Sequence, residues 1–174
     1  VPSSDASNIQ TLIQRDGDTI DLWRPWDCKT TRMQALASYP LLPLSNRISG
    51  GGFEHAGCFH ALAPNTPDDP YPIHGDGWLQ PWQLTRSGED GVQMQLRSAG
   101  YGGSPYHYEA SQSFTLADGG MLQSLSVTNR GEDALPFGLA QHPWFTRTPA
   151  CRLSARVDGV WLARPDKIPT LYTA

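Results

Sequence analysis

Three cysteines among 174 residues, at positions 28, 58 and 151, are too few and too widely spaced for a disulfide framework. None belongs to a Cys-x-x-Cys pair, which sets aside a zinc ribbon or a dithiol redox centre. The odd count leaves at least one thiol unpaired within the chain and favours a reducing compartment. Long apolar runs are missing too: nothing approaches the roughly 18 residues needed to cross a bilayer, so no membrane partner is expected. The first ten residues, VPSSDASNIQ, lack the basic start and apolar stretch of a signal peptide, and a cytoplasmic location is the expectation.

Charge is also sparse. There are 13 basic and 17 acidic residues, net −4, with no basic cluster to track phosphates, which argues against nucleic acid as a partner. Seventeen Gly and fifteen Pro together outnumber the charged residues. That composition excludes a coiled coil or helical bundle, because both residues break helices. A 39% hydrophobic content with six Trp excludes a disordered chain. The length suits one domain over residues 1–174, and a domain of this size hides roughly 70% of its unfolded surface.

Strand and turn patterns remain. Asn8–Ile13 and Thr19–Trp23 flank the turn RDGD, a hairpin signal with Asp-Gly at its centre. Lys29–Ala37 suits one or two helical turns. Tyr39–Leu44, with two prolines, reads as an edge segment or an extended loop. SGGG at 49–52 leads into FEHAGCFHAL, expected as a strand, and Pro64–Pro72 is a loop. Trp82–Thr85, Val92–Ser98, His107–Leu116 and Met121–Asn129 follow as successive strands between the turn-forming stretches SGED, AGYGGSP and ADGG. VQMQLR and LQSLSV nearly alternate, as half-buried antiparallel strands do. Leu135–Leu139 and Cys151–Trp161 are further strand candidates. The expected class is all-β, an antiparallel β-sandwich.

Three segments gather polar groups where turns meet aromatic residues. In LSNRI, Arg47 could be held so that its fork meets a sugar hydroxyl or a carboxylate; the alternative is a surface arginine. In IHGDGWLQPW, His74 precedes two glycines and two tryptophans, whose faces suit the apolar C–H face of a sugar; the alternative is a tryptophan plug. In PFGLAQHPWF, His142 precedes Pro143, Trp144 and Phe145, and is either a well-bonded core imidazole or a catalytic one. Asp76, between two glycines, reads as a turn former. Other chemistries fail on spacing. His55, His60 and His74 are no metal motif. No G-x-S-x-G elbow is present, and SGGG lacks the Lys-Ser/Thr of a phosphate loop.

Taken together and in this order, the three segments resemble the aldose 1-epimerase, or galactose mutarotase-like, family. DLWRP, SFTL and LSVTNRGEDALP extend the resemblance over most of the chain. It implies a large antiparallel β-sandwich of the galactose mutarotase-like type. The implied activity interconverts the α and β anomers of a free aldohexose, with a monosaccharide substrate and neither cofactor nor metal. By the same resemblance His142 would be the general acid, His74 would bind near the ring oxygen, and Arg47 and Asn46, with Trp78 and Trp144, would form the sugar site. The family's general base, a Glu, and a sugar-binding Asp lie in later motifs without a counterpart here; Glu54, Glu109 and Asp76 do not sit in them. Residues 1–174 are therefore expected to be the N-terminal portion of the domain, with a missing C-terminal segment or a homo-oligomer partner over the exposed sheet. WLQPW carries no Arg, which leans toward a neutral sugar. The alternatives are a non-catalytic carbohydrate-binding sandwich and a β-domain that binds a protein.

Overall fold

The computed structural model describes residues 12–27, 29, 35–117 and 119–174. In chain order the strands are β1 (Leu12–Arg15), β2 (Asp18–Asp21), β3 (Pro40–Leu41), β4 (Gly52–His55), β5 (Cys58–Ala61), β6 (Gln83–Gly88) and β7 (Gly91–Ala99). A single 3-10 turn, Tyr101–Gly103, leads to β8 (His107–Ala117), β9 (Gly120–Asn129), β10 (Ala140–Gln141), β11 (Val160–Ala163) and β12 (Pro169–Thr173). All pairings are antiparallel. The class is all-β, as the turn-rich sequence requires.

The largest sheet is the meander β6-β7-β8-β9. Period-two alternation places Met94, Leu96 and Ser98 of β7, and Tyr108, Ala110, Gln112 and Phe114 of β8, on one buried face. Trp23, Ala37, Leu42, Trp82 and Tyr106 cover that face. Each large apolar side chain fully buried there contributes roughly 1.5–3 kcal/mol. On β9 the inward set is Met121, Leu125 and Val127. Leu122 is out of phase with it and stays 64% exposed.

Several local expectations need correction. FEHAGCFHAL is a hairpin and not one strand: Ala56 (φ 50°) and Gly57 (φ 79°) form a two-residue turn between β4 and β5. The first hairpin turns at Asp16 (φ 55°) and Gly17 (φ 89°), as expected from Asp-Gly. Leu135–Leu139 is not a strand, because Pro136 cannot donate to a ladder; pairing starts only at Ala140. Most of Cys151–Trp161 is irregular, and the strand lies later, at Val160–Ala163, paired with a β12 that the sequence reading left out. The expected helical turns of Lys29–Ala37 fall largely on residues 30–34, and the expected Asn8–Ile13 strand largely on residues 8–11, outside the described residues; Leu12 and Ile13 open β1. No helix among the described residues is long and apolar enough to cross a membrane.

Two long-range seams position the chemistry. In the first, residues 140–146 thread between two earlier segments. β10 pairs with β3, the His142 amide donates to the Tyr39 carbonyl (3.0 Å), and the Trp144 amide donates to the Ala37 carbonyl (2.8 Å). On the other side Phe145 bridges Trp23, and the Arg24 amide donates to the Trp144 carbonyl (2.6 Å). In the second seam Arg47 bridges Ile73, the His74 amide donates to the Asn46 carbonyl (2.9 Å), and the Ile48 amide donates to the Pro72 carbonyl (3.1 Å).

Candidate active site

These seams bring the three sequence segments to one place. The His74 and His142 rings lie 5.5 Å apart, edge to face. His142 stacks on Tyr39 at 4.8 Å, and Tyr39 stacks on Trp78 at 5.5 Å. Trp144 packs 5.1 Å from His142, and the Arg24 guanidinium sits 4.5 Å over the Trp144 ring. Beside His74 opens a cavity of about 390 Å³ lined by Tyr39, Arg47, Asp69, His74, Trp78 and Lys167, among others; His142 stands behind His74 and does not line it. That is the size range of small-molecule sites.

Arg47 is held by an acid. Its Nε donates to Asp69 Oδ2 (2.8 Å), and its terminal nitrogen lies 2.7 Å from the same oxygen. Both side chains are only about a tenth exposed, so solvent screens the pair little. Burial works against the Asp69 charge, but the Arg47 hydrogen bond and the Tyr71 amide hold its pKa below the usual carboxylate range.

His74 occupies the left-handed region (φ 63°), where few side chains sit without being forced. Gly75 continues that turn at φ 69°, and a Cβ there would overlap the Leu42 carbonyl. Burial pushes the His74 pKa down to about 4; His142 and Arg47 add to the effect and Asp69 opposes it. Burial also lowers His142, with Arg24 adding to the effect and its own backbone opposing. Both rings are therefore mainly neutral at pH 7. The Nδ1 atoms of both are buried, without a hydrogen bond to another residue among those described. Two neutral imidazoles facing each other beside an anchored guanidinium can relay a proton to or from a polar ligand.

The remaining sequence candidates take different places. Trp78 is buried, and its indole N–H donates to the Gly75 carbonyl (2.9 Å), so it supports the His74 turn from behind. Asn46 is exposed, in the left-handed region (φ 61°), and its carbonyl takes the His74 amide. Trp144 backs His142 and is not among the cavity's lining residues. Tyr39, Arg24, Asp69 and Lys167 were not singled out from the sequence; Asp69 lies in the PNTPDDPYP stretch that reads only as loop.

Asp76 does more than form a turn. It is 6% exposed, and its Oδ1 accepts the Tyr108 hydroxyl and the Gln80 amide (3.2 Å), which in turn donates to Ser98 (2.9 Å). Burial pushes its pKa up to about 6, against hydrogen bonds from Tyr108, Ser104 and Gln80. A second cavity of about 340 Å³ lies against Asp76, Asn65 and Leu79, but neither an imidazole nor a basic side chain lines it. Among the described residues no group of three His, Cys, Asp or Glu side chains could hold a metal ion.

The sequence matches the family model described as aldose 1-epimerase over residues 10–173. The chain belongs to the aldose 1-epimerase family. It is 37% identical over 147 residues to the Escherichia coli K12 protein YphB, itself uncharacterized, covering 84% of this chain and 49% of that one. A crystal structure of a candidate aldose 1-epimerase from Escherichia coli K12 superposes with a TM-score of 0.81 at 34% identity, over 88% of this chain and 51% of that chain. A GalM/aldose epimerase homologue from Caenorhabditis elegans shares the fold, with a TM-score of 0.76 at 18% identity over 97% of this chain and 55% of that one. The chain spans about half the length of these relatives. The antiparallel fold expected from the family resemblance is thus the fold of the aldose epimerases.

Proposed function

We propose that this chain is the N-terminal portion of an aldose 1-epimerase domain that interconverts the α and β anomers of a free aldohexose. The observation carrying this reading is the facing pair His74 and His142 beside the Arg47–Asp69 ion pair, with His74, Arg47 and Asp69 lining a sugar-sized cavity.

The reaction removes the proton from the O1 hydroxyl while the C1–O5 bond breaks and O5 takes a proton. Rotation about C1–C2 and reclosure give the other anomer. His142 is assigned as the acid that protonates O5, and His74 as the group that holds O5 near it. A lowered pKa makes imidazolium a stronger acid, which speeds delivery of its proton once it is loaded. Arg47, its fork fixed by Asp69, orients sugar hydroxyls as a hydrogen-bond donor. Tyr39 and Trp78 keep the back wall dry, which strengthens these polar contacts. The general base is assigned to a Glu in the other half of the domain, since no acid in residues 10–173 sits in the family's base motif.

Polarimetry of freshly dissolved α-glucose and α-galactose tests the reading. The full-length protein is expected to speed relaxation, and His142→Asn to abolish most of that gain while the fold persists. Near-normal relaxation in the variant would remove His142 from the acid role. Sugar binding without any acceleration would instead favour a non-catalytic carbohydrate-binding sandwich.

A further inference from the structure

The loop before His74 carries a device that sequence reading passes over. The Asn65 side chain bonds the main chain on both sides of His74. Its Nδ2 donates to the Ile73 carbonyl (2.8 Å) and to the Gly75 carbonyl (2.7 Å), and its Oδ1 accepts the Ile73 amide (2.9 Å). One planar amide thus uses both of its protons and its oxygen on the two residues that flank the imidazole. His74 itself sits at φ 63°, a conformation that persists only where its surroundings over-determine it. Other anchors each hold one residue of the turn: the His74 amide donates to the Asn46 carbonyl, Arg47 bridges Ile73, and the Trp78 indole shares the Gly75 carbonyl, whereas the Asn65 amide ties both flanks together.

We propose that Asn65 is a positioning residue for His74: by clamping residues 73 and 75 it holds the left-handed turn that aims the imidazole at His142. Asn65 touches no reacting atom in this scheme. The proposal rests on the reading of His74 as a group of the sugar site, but its geometry does not. The charged and titratable groups around His74 come from every side: His142 after β10, Arg47 after β3, Asp69 from the same loop as Asn65, and, across the cavity, Arg24, Asp68 and Lys167. Freed from the clamp, the ring swings toward water and loses the burial that keeps its proton affinity low.

The test combines Asn65→Ala and Asn65→Asp in the full-length protein. Asp retains the acceptor for the Ile73 amide but replaces the donors to both carbonyls with an oxygen. The histidine Cε1–H resonances are followed against pH by NMR, and mutarotation is followed by polarimetry. In the wild type the His74 resonance is expected to titrate near 4, and in both variants its midpoint climbs toward 6.5. The catalytic rate at saturating sugar falls about 10- to 100-fold, as expected for a misplaced group. Phe114→Leu, a core change in β8, controls for general loss of stability and leaves both readouts in place. Should both variants fail to fold, the wild-type Asn65 amide protons decide: slow exchange with solvent supports the clamp, and rapid exchange overturns it. An unmoved His74 midpoint in folded variants also overturns the proposal. A raised midpoint with an unchanged rate upholds the clamp and removes His74 from catalysis, so the two readings fail separately.

Discussion

Replacing Asp76 by Asn should stabilise the protein at neutral pH and lose that advantage in acid. The Asp76 carboxyl is 6% exposed, and burial lifts its pKa from 3.8 to about 6. A carboxyl whose pKa is raised on folding keeps its proton longer in the folded state. Its contribution is therefore fully present below 3.8 and is lost as pH rises through about 6. The span corresponds to about 3 kcal/mol of stability forfeited by pH 8. Asn has the same shape, its Oδ1 can still accept the Tyr108 hydroxyl and the Gln80 amide, and it carries no charge to desolvate. Urea denaturation of both proteins between pH 4 and pH 8 measures the effect. With an m-value of about 2 kcal/mol/M, the gap between the midpoints should widen by about 1.5 M across that range. Other titrating groups are common to both proteins and cancel in the difference. Parallel pH profiles would refute the reasoning, since they would mean that the folded protein bears the Asp76 charge at no cost.

Further outcomes follow from the same geometry. His142→Asn should slow mutarotation by about 10²- to 10⁴-fold, the usual worth of a positioned acid, with little change in melting temperature. Asp69→Asn should weaken sugar binding by about tenfold and lower stability by about 1–3 kcal/mol, because it strips a nearly buried guanidinium of its charged partner; titration of tryptophan fluorescence and thermal melting check the two effects. Gly75→Ala, which forces a Cβ onto the Leu42 carbonyl, should abolish sugar binding and destabilise the fold, both visible in the same two assays. His74, depressed from 6.5 to about 4, contributes stability that is present above 6.5 and lost as pH falls through about 4, a swing of about 3 kcal/mol. His74→Gln should flatten that acid limb in a pH series of denaturation curves.

Local signals in the sequence were legible where physics is local. Asp16-Gly17 predicted its hairpin, alternation in VQMQLR predicted the inward face of β7, and His107–Leu116 was legible as a strand. The Ala56-Gly57 turn was missed because Ala rarely adopts a positive φ, and only its pairing across β4 and β5 explains it. LQSLSV gave the right strand but hid its phase: Leu122 looks inward by hydrophobicity, yet Met121, Leu125 and Val127 outvote it. At the site, Arg47, His74 and His142 were legible through the order of short motifs. Tyr39, Asp69 and Asn65 were not, because their roles arise from contacts between segments far apart in sequence. Asp76 was read as a turn former, and only the tertiary structure places Tyr108 against its carboxylate.

The threading of residues 140–146 between the two earlier segments has a kinetic meaning. The meander β6-β7-β8-β9 closes through short turns and can form from neighbours. The contact of Thr146 with Trp23 joins residues 123 positions apart, so the seam that seats His142 forms only after a large loop has closed. It also rests on a two-residue ladder, β3 with β10. His142 is thus seated in a long-range seam held by a short ladder, and native-state hydrogen exchange should find the His142 and Trp144 amides opening well before those of β8.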